Sequence, residues 1–349
     1  MSVVHGGADD AELATHGLHA EDVLDLSANL HPDGPHPAVI EAARTAPLDR
    51  YPHAEALPLR KAIAAAYHFD PASVLPVPGG TAAIHLVARV LLKQDQRALV
   101  IAPAFDEYAA AARSAGASVI EVRTSPPDFS LSIEALPEAA VTFLCVPDNP
   151  TGRDLTRPEV EQIAARTGGI VVLDAAYEPF VERAAFASDL ARGDANVVAV
   201  HSMTKLHAIP GLRLGFIVAS PPLIARAAAL QHSWALDAPS IAAGSVAARQ
   251  HEERRVALGA MRETREWLRA RWAGEGLAVA PGAANFLLVH VGDAVRVRAA
   301  LFVLRIVVRD ASSFGLPEWV RIAVPPTERR EEVANALIAA AAAGLTASK

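Results

Sequence analysis

Cysteine is nearly absent. Cys145 is the only one in the chain, so no intramolecular disulfide can form and a reducing compartment is expected. It lies in the apolar run VTFLCVP and reads as a buried strand residue, not as a reactive thiol. No apolar run is long enough to span a bilayer; the Ala-rich segment from Leu337 to Leu345 reads as the core face of a terminal helix. The opening MSVVHGGADDAEL lacks the basic and apolar stretches of a secretory signal, and a cytoplasmic protein is expected. Basic clusters are scarce as well. The formal net charge of −7 gives no general attraction to nucleic acid or anionic membranes, so an anionic ligand would need its own local arginines. No metal site is expected, and no internal repeat or low-complexity linker is found.

What is present is core-forming. Hydrophobic residues make up 52% of the 349 residues and charged residues 20%, which excludes wholesale disorder. ALVIAPAF, VTFLCVP, GIVVLDAAY, NVVAVHS and LGFIVAS read as buried strands, continuous rather than alternating. Helical stretches fall between them, at Glu107 to Ala115 and Pro158 to Thr167. Strands separated by helices predict an α/β layer with a mainly parallel sheet from about Pro76 to Ser220. After Pro222 a helical stretch from Ile241 to Trp272 leads into NFLLVHV, a helix, RIVVRD, WVRIAV and a last helix, a separate α+β unit. The expected division is a large unit over 35–240 and a small one built from 1–34 and 241–349, with the opening arm crossing to the small unit.

Chemistry-bearing residues stand at the strand ends. Lys205 follows a strand in HSMTKLHAIPGLRLGF; Ser202 and Thr204 offer hydroxyls, and Arg213 a fixed bidentate anion partner. Asp174 closes GIVVLD, with Tyr177 three residues on. Gly79, Gly80 and Thr81 open a helix whose amides suit a phosphate. Phe105 and Asn149 lie in strand-end loops, in APAFDEY and DNPTG. Each is ambiguous alone: Lys205 would also serve as a surface lysine, Asp174 as a helix cap, Phe105 as core and Asn149 as a plain turn residue. The set matches what pyridoxal phosphate (PLP) needs: an amine for its imine, an acid facing the pyridine nitrogen, a phosphate cradle and a ring-face contact.

In this order and spacing the motifs resemble the fold type I PLP enzymes, the aspartate aminotransferase superfamily, from about residue 20 to the C-terminus. The resemblance implies a large domain with a mainly parallel central sheet, a smaller α+β domain, PLP on Lys205, and a homodimer. Within the superfamily the chain is similar to histidinol-phosphate aminotransferases and to L-threonine-O-3-phosphate decarboxylases of cobalamin biosynthesis. DRYPHAEALPLRKAIA, NFLL and VRIAV match both; the resemblance implies that Tyr51 reaches the neighbouring subunit's cofactor phosphate. HGG at 5–7, LDLSANLHPDGPHP, SMTKLHAIPGLRLGF and VVRDASSFGL favour the decarboxylases. They place His5, Gly6, Asn29, Arg309 and Arg321 at the substrate, Arg321 on a carboxylate and Arg309 on a phosphate. Ala82, Pro325 and His31 depart from the family pattern, mostly at the substrate end. The leading expectation is decarboxylation of L-threonine O-3-phosphate to aminopropanol phosphate. Transamination of histidinol phosphate or another amino acid is the alternative. A non-catalytic PLP-binding regulator is a minor one, since the chain has no basic stretch for a DNA-binding domain.

Overall fold

A computed structural model describes residues 6–345. Its strands are β1 (Leu24–Asp25), β2 (Val74–Val77), β3 (Arg97–Ala102), β4 (Ser118–Arg123), β5 (Val141–Cys145), β6 (Ile170–Asp174), β7 (Val197–Ser202), β8 (Gly215–Val218), β9 (Phe286–His290), β10 (Ile306–Val307), β11 (Arg309–Asp310) and β12 (Trp319–Ala323). Seven of them form the main sheet, in the order β2-β8-β7-β6-β5-β3-β4. From β3 to β7 every pairing is parallel. β8 alone runs the other way, antiparallel to both β7 and β2.

Burial explains the continuous apolar runs. Val141, Phe143 and Cys145 of β5 enter one core, while Leu144 enters the core on the opposite face. Val172 of β6 faces the first and Val171 and Leu173 the second. With helices on both faces no position is left for polar alternation. Local signals set the helix ends. Helix Arg157–Thr167 opens on a capping box of Thr156 and Glu159 and stops at Gly168, which adopts the left-handed conformation.

The remaining strands form two small sheets. β9, β12 and β11 are antiparallel, with β12 in the middle. Trp272, Leu287, Val289, Ile322 and Leu337 share the core beside them. β1 of the opening arm pairs in parallel with β10, so the arm does reach the C-terminal elements. The helical stretch expected from Ile241 to Trp272 is three helices, Ala238–Arg249, His251–Val256 and Gly259–Gly274. No helix among the described residues is long and apolar enough to cross a membrane.

Candidate active site

Strand direction gathers the site. The carboxyl ends of β5, β6 and β7 lie at one edge of a parallel sheet, where ligands of such sheets bind. Because β8 is reversed, its first residue meets that edge too, Gly215 pairing with Ser202 and with Val77. The glycine is required by packing. A Cβ there would stand 2.7 Å from the His201 carbonyl oxygen and 3.0 Å from the Gly80 nitrogen.

At this edge a cleft of about 570 Å³ opens, lined by Gly80, Thr81, Phe105, Asn149, Asp174, Tyr177, Ser202, Thr204, Lys205, Arg213, Gly6, Arg309 and Arg321 among others. Thirteen residues expected from the sequence are thus brought together. Gly79 borders the cleft. It caps helix Gly80–Leu91 at φ +90, and a Cβ on it would meet Arg213 Nη2 at 3.0 Å. Asn29 is buried behind the lining and donates from Nδ2 to Tyr177 Oη at 3.2 Å. Tyr51 does not line the cleft. It is 83% exposed and packs on Trp234, ring centres 5.1 Å apart. His5 lies outside the described residues.

One end of the cleft suits a phosphate. Helix Gly80–Leu91 presents its first amides. The hydroxyls of Ser202 and Thr204 stand 2.7 Å apart, and Arg213 lies against Gly79 in a left-handed backbone conformation. Lys205 lies between this end and the rest, its Nζ donating to the Ala28 carbonyl oxygen at 2.8 Å. Burial and the cations Arg321 and Arg213 lower its ammonium to about 8.

Asp174 ends β6 and is buried. Its Oδ1 accepts from the Ala176 amide at 3.0 Å and its Oδ2 from Tyr108 Oη at 2.8 Å. Burial raises its carboxyl, and the Tyr108 bond opposes the rise. Tyr108 was not foreseen, although it stands only three residues after Phe105. Its phenol is pushed well above its ordinary value, first by burial and then by Asp174, so it acts as a donor. Cys145 also lines the cleft, but burial and the nearby carboxylates push its thiol up. The sequence expectation of an unreactive thiol agrees with that environment.

The opposite end is cationic. Arg309 and Arg321 are direct partners across β11 and β12, so their side chains share a face and repel. Arg321 is 4% exposed. Among the described residues its bonds go to neutral oxygens, Asn149 Oδ1 and the Ser27 carbonyl, the latter at 2.7 Å. Burial, with Arg309 adding to it, lowers its guanidinium to about 10. Arg309 donates to Ser313 Oγ at 2.7 Å.

These residues fit PLP. The cradle, the amine of Lys205 and the buried carboxylate stand around one cleft, and a side chain on Gly79 would crowd the Arg213 guanidinium beside it.

Known proteins resemble the whole chain. Histidinol-phosphate aminotransferase of Symbiobacterium thermophilum is 32% identical over 340 residues, 94% of this chain and 92% of that protein. The solved L-threonine-O-3-phosphate decarboxylase of Porphyromonas gingivalis superposes with a TM-score of 0.79 at 26% identity, over 90% of this chain and 98% of that one. The fold is shared with histidinol-phosphate aminotransferase of Sinorhizobium meliloti, solved with pyridoxal 5'-phosphate, at a TM-score of 0.84 and 22% identity over 97% of this chain and 95% of that one. Residues 21–338 match the family described as aminotransferase class I and II, and the chain belongs to that family of enzymes.

Proposed function

We propose that this chain is a PLP-dependent aminotransferase that moves the amino group of a phosphorylated amine, histidinol phosphate first among them, to a 2-oxo acid. The observation that carries it is the buried pair Arg309 and Arg321, opposed across β11 and β12 at the end of the cleft that holds Lys205. Like charges so placed repel; Asp310 and Asp106 act on Arg309, whereas Arg321 is buried with bonds to neutral oxygens, and an anionic substrate would offset its burial. Histidinol phosphate has no carboxylate, so Arg321 takes its phosphate in one half-reaction and the acceptor's carboxylate in the other. The relatives named histidinol-phosphate aminotransferase support this order, which reverses the sequence expectation: transamination now leads and decarboxylation follows.

When bound, PLP withdraws electrons from the substrate carbon that bears the amine. The chain's residues do the rest. Lys205 would hold the cofactor through its Nζ and would move the proton at the substrate carbon. An amine at about 8 is partly neutral near neutral pH, as a base must be. Asp174 would face the pyridine nitrogen, and Tyr177 and Asn149 the ring oxygen. Gly79, Gly80, Thr81, Ser202, Thr204 and Arg213 would hold the phosphate, and Phe105 would lie against the ring. Asn29 orients Tyr177. Tyr51 serves the partner subunit of a cytoplasmic homodimer, and 35–240 forms the cofactor-binding unit.

Decarboxylation of L-threonine O-3-phosphate is the second reading. It is favoured by the lysine segment SMTKLHAIPGLRLGF and by the likeness to the solved decarboxylase. Arg321 would decide between the two readings by how it holds the substrate's carboxylate. Incubating the holoenzyme with L-threonine phosphate and no oxo acid separates the two. Catalytic CO2 release would overturn transamination. Turnover of histidinol phosphate with 2-oxoglutarate, without CO2 from threonine phosphate, supports it.

A further inference from the structure

Two residues outside the roles above stand at or next to the cationic end of the cleft. Phe314 closes the turn Ser312–Phe314, between β11 and β12. It is buried, lines the cleft, and its ring centre is 5.6 Å from Arg309 Cζ and 6.0 Å from Arg321 Cζ. One aromatic ring thus lies against both guanidinium groups. The turn also holds Arg309 through the Ser313 hydroxyl, at 2.7 Å.

The turn is gripped from the main sheet. Arg123, the last residue of edge strand β4, donates from Nη1 to the Phe314 carbonyl oxygen at 3.1 Å. Its fit is tight on that side: a Cβ on Gly315 would stand 2.9 Å from Nη1, and Gly315 has φ +77. Arg123 does not line the cleft, is 51% exposed, and has a loose ion pair with Glu121 at 3.7 Å. A structural ion pair therefore does not account for where its guanidinium points.

We propose that Phe314 is the specificity-determining wall beside the two arginines, and that Arg123 is the positioning residue that sets it. This rests on the reading of Arg309 and Arg321 as anion-binding residues. The ring's face stabilises both cations without neutralising them. Its bulk fixes how far apart two anionic ends of one ligand lie when each meets its own arginine. A ligand with a single anionic end needs one arginine and is indifferent to the wall.

The test uses holoenzyme and two ligands that carry no amine and cannot react. 3-Phosphonopropionate has two anionic ends and propionate has one. Binding is measured by titration calorimetry on the wild type, Arg123→Ala, Arg123→Lys and Phe314→Leu. Removing one charge-assisted bond from the turn is expected to weaken 3-phosphonopropionate about tenfold in Arg123→Ala. Propionate should change by no more than about twofold, within what a surface substitution does elsewhere. Arg123→Lys restores most of the affinity, because an ammonium still donates to the carbonyl. Phe314→Leu loses the preference for two anionic ends with Arg123 intact. Equal weakening of both ligands in Arg123→Ala, or no weakening of either, overturns the proposal. A wild type that prefers 3-phosphonopropionate but turns over neither amino phosphate refutes the substrate reading and leaves the wall standing. A wild type with no such preference refutes the wall whatever the substrate is.

Discussion

The chemistry of single residues is set by enclosure. The Lys205 ammonium is held at about 8 instead of 10.5, and as the proposed cofactor-bearing amine it would react in its neutral form. The rate of PLP capture by cofactor-free protein should therefore rise with pH through about 8 and level off above it, read from growth of the imine absorbance. A rise that continues to the ordinary lysine range would reject the enclosure argument, and Lys205→Ala should show no imine band at any pH. Tyr108 tests the same logic from the acid's side. Tyr108→Phe removes the 2.8 Å bond to Asp174, leaves the ring's packing on Phe143, and weakens the charged form of the carboxyl. A loss of about 1–2 kcal/mol is expected, roughly tenfold in kcat/KM. Unchanged kinetics would mean that the Ala176 amide holds Asp174 unaided.

At the level of elements, the reversed strand β8 matters most. It brings Gly215 against the Gly79–Gly80 turn and the end of β7 together. Gly215→Ala should push these apart. Overpacking of this kind costs on the order of 1–3 kcal/mol, seen as a lower melting temperature, and PLP should bind more weakly because its cradle has moved. A variant that melts lower yet binds PLP as before would separate the two effects. The strands visible in sequence were those buried on both faces, because continuous apolar runs such as GIVVLD leave little ambiguity. β4 escaped notice: SVIEVR is an edge strand with exposed and half-buried positions, so its pattern carries charges. β2 is short and contains Pro76. The direction of β8 leaves no mark on LGFIVAS, since direction depends on which neighbours the strand finds. Lys205, Asp174 and Arg321 were legible because their motifs are local. Tyr108, Ala28 and Arg123 were not, because each makes its contact across distant segments; Phe314 was not, because a lone aromatic in a turn reads as core.

For the whole molecule, two properties follow. Tyr51 and Trp234 pack on each other while 83% and 49% exposed, an apolar surface that a second copy would cover. If Tyr51 serves the neighbouring cleft, Lys205→Ala and Tyr51→Ala homodimers are both impaired. Their hybrid then carries one intact site, and random reassociation of equal amounts should restore about a quarter of wild-type activity. No recovery would remove Tyr51 from the partner's site. Acid stability is the second property. His31 and His251 are lowered to about 4, and His201 and His207 to about 3, burial leading in each case. An unfolded chain protonates them near 6.5, so unfolding takes up protons below that pH. The share of stability that rests on these neutral histidines is complete above about 6.5 and falls as pH drops towards 4. The melting temperature should decline steeply from pH 6.5 to 5, and His207→Asn should flatten the decline.

The arm strand β1 has a temporal consequence. It pairs with β10, and the residues just after it supply the acceptor for Lys205 and the donor for Tyr177. Its partner strand is near the other end of the chain. During synthesis the arm leaves the ribosome first, yet it can dock only after Ile306 and Val307 have followed. A nascent chain stalled between Gly215 and Phe286 would display Lys205 and the phosphate cradle without their lid. Such a chain should bind PLP reversibly and exchange it quickly with solution, while the released full-length protein retains it.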